Sequence, residues 1–312
     1  MYSYTIIQWM FFFYVYSFAG WCIESTYVSI QSRKLTNRGF MRGPFLPLYG
    51  SGATMMLVVS MPFQDNIVLT YLAGCVGATV LEYVTGVVME ALFHMRYWDY
   101  SDMKFNFQGH VCLGTSLAWG GLTILMTEFV HLPVEAFMLA IPQRPLIIGT
   151  QVVTVFIFVD FALSFKAAID LRDVLKKMEH AKEEMVRIQK RLDALISTTG
   201  QGMAESMGNM RDDMALRMED LKSSIEVKLE ALKNVVLAKP TEYLESVKEE
   251  LIDLKTKYAV NLADRNRLGK IRDFFQRDLI RSNPTLRSNK YREALEELKQ
   301  KTMGKKKEED EE

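Results

Sequence analysis

The chain has 312 residues, with 38 basic and 38 acidic side chains, so no chain-wide excess of either sign marks it for nucleic acid or for self-repelling disorder. The charge is unevenly placed. Residues 1–167 hold 8 Lys+Arg and 9 Asp+Glu, which leaves 30 and 29 in the other 145, so a boundary is expected near Lys166. Three cysteines, Cys22, Cys75 and Cys112, all lie in apolar segments without metal-ligand spacing, which excludes a disulfide framework and reads as small buried hydrophobes.

A membrane helix needs about 20 apolar residues. The first such run is Tyr4–Ile30, with Glu24 towards its end. It lacks the basic start and small-residue cleavage site of a secretory signal, and so reads as a retained membrane helix. A second run, Phe45–Met61, is at the short limit. A third, Ile67–Phe93, contains Glu82 and Glu90. The fourth and fifth are Val111–Val130 and Pro145–Phe165, the last with Asp160 near its end.

Basic residues orient the spans, because short inner loops carry the Lys/Arg excess. Arg33, Lys34, Arg38 and Arg42 follow the first run, Arg96 and Lys104 follow the third, and the charged half follows the fifth. Only Arg144 falls on the other side. The expected fold is therefore all-α: a transmembrane domain of five helices over 1–167, N-terminus outside, then a cytoplasmic coiled-coil or helical region over 168–304 and a disordered charged tail over 305–312. The expected location is the cell membrane.

Two inner loops are unusual. Residues 37–52 join two apolar runs through six Gly and Pro, with Arg38 and Arg42 placed where a phosphate or carboxylate could meet planar donor forks. A rigid re-entry turn is the alternative. The loop from His94 to His110 interleaves Asp99, Ser101 and Asn106 with Tyr97, Trp98 and Tyr100; interface anchoring accounts for the rings but not for Asp99. Carboxylates within spans are costly and normally face a bundle interior. Glu82, Gly86 and Glu90 fall on one helical face, and Glu24 can meet Arg38 or Arg42. Those residues serve either a site or a packing lock. Gly74, Gly77, Gly114, Gly120 and Gly121 suit close helix approach.

With these residues in view, the membrane half resembles the CmpB, or type IV, ABC-transporter permease family. The resemblance rests on Gly20-Trp21 with Glu24, Asn37-Arg38-Gly39-Phe40, Gly43-Pro44, Pro47-Leu48-Tyr49-Gly50-x-Gly52, Glu82-Tyr83-x-Thr85-Gly86, Glu90, Trp98-Asp99-Tyr100-Ser101 and Asn106-x-x-Gly109. It implies a small polytopic bacterial permease working with a separate ATPase subunit. On this reading Glu24, Asn37, Arg38, Arg42, Glu82, Glu90, Trp98, Asp99 and Asn106 form a substrate site at the inner face for an anionic lipid or small anionic ligand. No phosphate loop, zinc motif or nucleophile elbow occurs, so neither cofactor nor metal is expected and the sequence argues against an enzyme. A membrane-anchored scaffold and a lipid-headgroup enzyme are the alternatives.

From Leu171 the pattern turns to heptads: Leu171, Met178, Met185 and Leu192 at a, with Val174, Ala181, Ile188 and Leu195 at d. Gly200 and Gly202 interrupt it, a methionine stripe (Met203 to Met218) follows, and Pro240 stops the next helix before a further run from Leu244 to Tyr258. Antiparallel helices or an oligomeric rod both fit, so a second copy or a partner protein is expected through this region. Residues 265–292 hold nine Lys+Arg and two acids among apolar residues, which suits a membrane surface, a solvated helix face or, less well, nucleic acid.

Overall fold

A computed structural model describes residues 4–198, 217–238, 242–271 and 273–309. Helices dominate: α1 Ile6–Ser32, α2 Pro47–Ser60, α3 Ile67–Phe93, α4 Leu113–Leu125, α5 His131–Ala140, α6 Gln143–Thr198, α7 Met218–Ala238, α8 Glu242–Leu268, α9 Phe274–Ser282 and α10 Arg292–Glu309. Among the described residues the strands are β1 Asn106–Phe107 and β2 Val111–Cys112, paired antiparallel within one loop. The chain divides into two compact units. The first comprises residues 1–172 and 272–290; the second comprises 173–271 and 291–312.

The first unit is the apolar one, and its long helices begin and end on local chemistry. At the start of α1 the Thr5 hydroxyl accepts from the Gln8 amide, and the Gln8 side chain accepts from the Thr5 amide at 2.8 Å. Asn66 caps α3 by accepting from the amides of Val68 and Leu69, both at 3.1 Å. Both helices stop at a left-handed residue, Arg33 and His94, each with φ 54°. Along α3 the usual amphipathicity is inverted. Leu72, Val76, Val80, Val84 and Val88 form an exposed stripe at four-residue spacing, while Thr70, Gly74, Ala78, Glu82 and Gly86 form a buried one. Apolar outside and small or polar inside is what lipid solvation selects. Gly74 lets Thr123 of α4 approach so closely that a β-carbon there would lie 2.1 Å from its hydroxyl.

Among the described residues, four helical stretches are long and apolar enough to cross a membrane: Ile6–Ser32, Ile67–Phe93, Leu113–Ala140 and the front of α6. The expected second span is the exception. As α2 it has 14 residues, about 21 Å at 1.5 Å per residue, short of the roughly 30 Å of hydrocarbon. It starts part-way along α1, where the Leu46 amide donates to the Ser17 carbonyl at 2.9 Å. The loop before it runs back along the last turns of α1 and uses up length that a full span would need. The expected fourth run is α4, which passes through a π-helical turn, Met126–Val130, into α5.

In the second unit, heptad residues of α6 (Met185, Ile188, Leu192 and Leu195) share one apolar core with Leu221, Ile225 and Leu232 of α7 and Val247, Leu251, Leu254 and Tyr258 of α8. The heptad seam is thus covered within one chain. Gly200, Gly202, Pro240 and Met203 to Met214 lie outside the described residues, as do residues 310–312 of the expected tail, and α10 runs to Glu309. Arg265, 1% exposed, donates to the Met178 carbonyl at 2.6 Å and to Glu297 at 2.7 Å, and Lys182 pairs with Glu293, so buried charges tie α10 and α8 to α6.

Candidate functional site

Within the first unit, the loop before α2 is held by its own polar residues. The Asn37 carbonyl oxygen accepts from the Trp21 indole at 2.6 Å and its amide donates to the Arg42 carbonyl at 2.6 Å, closing a six-residue ring of backbone. Phe40 sits among the rings of Phe93, Tyr97 and Phe161, with centroids 5.6–5.8 Å away. The Gly43 amide donates to Asp160 of α6 at 2.8 Å. Glu24 accepts from the Tyr49 hydroxyl at 2.8 Å and lies 3.4 Å from Arg38 Nε. The loop is therefore clamped to α1, α3 and α6 at the end of the bundle where α3 finishes.

The loop after α3 is stapled in the same way. Asn106 donates to the carbonyls of Ser101 and Met103 and accepts from the Gly109 amide at 3.2 Å. Gly109 has φ 74°, and a β-carbon on it would lie 2.5–2.9 Å from Ser101, Arg96 and Asp99, so only glycine fits. The Trp98 indole donates to the His110 carbonyl at 3.0 Å. Arg96 bridges Glu90 at 2.8 Å and Asp99 at 3.4 Å. Burial alone would raise the Asp99 carboxyl, but Ser101, Arg287 and Arg96 outweigh it and hold it below the ordinary carboxylate range. Burial and the Arg96 charge push the His110 imidazole down against the pull of Glu90 and Asp99. Neutral His110 then places Nε2–H on Glu90, 3.1 Å away. Deeper in α3, Glu82 accepts from the Tyr100 hydroxyl and the Trp119 indole, both at 2.9 Å. Every carboxylate on that stripe therefore has donors.

Both loops also receive a segment that is remote in sequence. Residues 273–289, taken from the basic stretch, cross them as a strap. Asp273 caps α9 by accepting from the Gln276 amide at 3.0 Å. Arg42 lies 4.1 Å over the Phe274 ring and 3.4 Å from Asp278. Arg38 donates to the Ser282 carbonyl at 3.3 Å, the Asn283 side chain at 3.0 Å and the Thr285 hydroxyl at 3.1 Å. Asn283, 1% exposed, donates to the Gly39 carbonyl at 2.9 Å. Further on, Arg287 and Arg96 exchange backbone bonds at 2.7 and 2.9 Å, Arg287 reaches Asp99 at 3.2 Å, and Ser288 donates to the His94 carbonyl at 2.6 Å. Asn289 completes the set on Glu90 at 3.4 Å. A cavity of about 10 Å³, one water's worth, remains between the strap and Gly39–Arg42, closed on the third side by Ser164 and Ala167.

Residues 11–165 match the family model described as "Putative ABC-transporter type IV". The membrane half of the chain belongs to that family. No curated protein and no solved structure matches the chain. The family segment contains both stapled loops and ends on the front part of α6 that carries Asp160, whereas the strap lies outside it. The chain is therefore a membrane protein whose residues 11–165 match an ABC-transporter-type family.

Of the expected site residues, Glu24, Asn37, Arg38 and Arg42 gather at the first loop, and Glu90, Trp98, Asp99 and Asn106 at the second. The strap spans the two, and Glu82 lies deeper on α3. Arg38 and Arg42 do not converge on one point: Arg38 faces 282–285 and Arg42 faces α9. Sequence reasoning misses the strap because nothing in its composition names its partner; its one local signal is the Phe274-Phe275 pair beside Asp278. It misses a second cluster altogether. His131, fully buried at the π-helical turn, lies 2.7 Å from the Tyr16 hydroxyl and 2.9 Å from that of Tyr4, which also donates to Glu135. A π-helical turn in an otherwise α-helical span has no sequence signature. Among the described residues, no three His, Cys, Asp or Glu side chains are grouped to hold a metal ion.

Proposed function

We propose that the chain is the membrane-embedded component of an ABC-type transport complex, with ATP hydrolysis supplied by a separate subunit. Its polar site at the inner face takes an anionic lipid or a small anion. The observation that carries this reading is the gathering of Glu24, Arg38, Arg42, Glu90 and Asp99 at one end of the bundle, on two stapled loops and the helix ends beside them. Asn37, Trp98 and Asn106 act there by shaping the loops, and Glu82 by holding Tyr100 and Trp119 below them. Fixed donors on rigid backbone recognise anions at little ordering cost. The bundle sits in a bacterial cell membrane with five crossings, the N-terminus outside and the helical region inside. In this arrangement α2 crosses as a short helix whose start is sunk below the surface. The placement of Arg33, Lys34, Arg38, Arg42, Arg96 and Lys104 beside the same helix ends supports it.

The helical region supplies the surface for a partner protein or a second copy, by way of its outer faces, since its apolar seam is already covered within one chain. A second reading, a membrane-anchored scaffold, is favoured by the same pairing: each site residue has partners inside the chain, as a packing lock would. Replacement of Glu82 separates the two. Glu82→Gln in a strain lacking the native protein should keep expression and assembly size while failing to restore the strain. Full restoration would remove Glu82 from any site and leave the scaffold.

A further inference from the structure

The strap lies where an anion held by Arg38, or by Arg42 beside it, would lie. Resting on the anion-site reading above, we propose that residues 274–285 are a built-in occupant of that site, and that its ligand is a phosphate or carboxylate anion that displaces them. The quality of the contacts carries the argument. A guanidinium fork matches an anionic oxygen pair, and such charge-assisted bonds are about twice as strong as neutral ones. The outer edge of Arg38 instead meets three uncharged oxygens, those of Ser282, Asn283 and Thr285. Its charged neighbour, Glu24, is met through Nε at 3.4 Å. Arg42 meets Asp278 through Nε, also at 3.4 Å, and its side chain is 40% exposed. Beside Arg38 the Tyr97 hydroxyl is buried with no partner among the described residues, a further donor pointed at nothing the strap supplies. The strap satisfies the arginines without matching them.

The same contacts say which part moves. The rear of the strap is held by the paired backbones of Arg96 and Arg287, by Ser288 on His94, and by Arg287 on Asp99. None of these involves Arg38 or Arg42. The front is held by the two arginines and by Asn283 on Gly39, together with Thr285 on the Tyr97 carbonyl at 3.2 Å and the buried Ile280. An anion therefore competes with the front alone, while the rear stays docked as a hinge.

The test uses the full chain in lipid nanodiscs and reads amide hydrogen exchange along 274–290 together with anion binding. One arm adds inorganic phosphate to neutral phosphatidylcholine discs; the other replaces part of the lipid with phosphatidylglycerol and measures retained lipid by mass spectrometry. A free anion is the ligand if phosphate accelerates exchange over 274–285 while 287–290 stays protected, and a headgroup is the ligand if phosphatidylglycerol does so. Asn283→Ala, and the milder Thr285→Val, leave both arginines intact. Each should accelerate front exchange without any anion and tighten anion binding, by about tenfold for each strap-to-loop hydrogen bond removed. Arg38→Lys should accelerate exchange and abolish the response to either anion. Binding of an anion with the front equally protected, or Asn283→Ala accelerating exchange with unchanged affinity, would overturn the occupant and make the strap a fixed part of the fold. If neither anion binds even in the Asn283→Ala protein, the anion site itself falls, and the occupant with it.

Discussion

At the scale of single residues, the decisive feature is how many hydrogen-bond partners each charged group has. Arg38 has four partners within 3.4 Å, and their planar arrangement is one that an ammonium cannot copy. Arg38→Lys should therefore cost about 1–3 kcal/mol in unfolding measurements in nanodiscs. Orientation, read by cysteine accessibility, should be unchanged because the positive charge remains. A variant as stable as the parent would reduce Arg38 to an orientation marker. His110 and Asp99 set the pH dependence. Both groups sit below their ordinary values when folded, so the unfolded chain binds protons first as pH falls. Stability from His110 is complete above about pH 6.5 and is lost as pH drops from there towards its lowered folded value; that from Asp99 is complete above about pH 3.9 and is lost below it. Melting temperature should hold steady above pH 7 and begin to fall near 6.5, and His110→Gln should reduce that first fall. A parent flat from pH 7 to 5 would contradict a neutral, buried His110. Gly109→Ala forces both a left-handed backbone and a clash with Asp99, and should lower the melting temperature at every pH.

Among the elements, α3 and the strap behave differently for a physical reason. The two stripes of α3 repeat every four residues, so its buried and lipid faces are legible in the order of its amino acids. Glu82, Gly86 and Glu90 do lie along the inward side that faces Tyr100 and His110. The strap's short helix α9 is amphipathic and buries Leu279 and Ile280, but nothing in its pattern says what that face meets. Docking of the strap rests on Ile280 and Leu286, both fully buried, and on bonds to loops far away in sequence. Ile280→Ala should weaken that docking by about 2–5 kcal/mol. The expected readout is faster hydrogen exchange over 274–289 with α3 unaffected. Equal slowing or speeding across α3 would mean that the strap does not open as a unit.

Across the whole molecule, the chain pairs a unit solvated by lipid on its apolar outside with a unit built on an ordinary apolar core. Leu192 is fully buried within a single chain, because α7 and α8 cover it. Leu192→Ala should thus destabilise the second unit by about 2–5 kcal/mol, and mass photometry should find the assembly state unchanged. Dissociation of an oligomer by this substitution would mean that the seam also binds between chains. Reagents that label introduced cysteines from one side only should reach the loops at 34–37 and 102–105 from the same face, since both belong to one end of the bundle. Labelling from opposite faces would break the proposed crossing pattern.

Hydrophobic periodicity and charge placement, which are local properties, are enough to establish an all-α membrane protein, its change of character near Lys166 and, with the motifs, its family and the nine residues worth watching. They could not show that α2 is only 14 residues long, because the lost length is taken by a loop folding back on α1. Nor could they separate an oligomeric rod from helices packed within one chain, since a heptad records that a face is buried and not by what. Above all, the partners of Arg38 and Arg42 lie some 240 residues further along the chain. A basic, amphipathic stretch carries no mark of its destination. Its docking on the two loops depends on carbonyls, a cap and a hydroxyl that are brought into register only when the chain is folded.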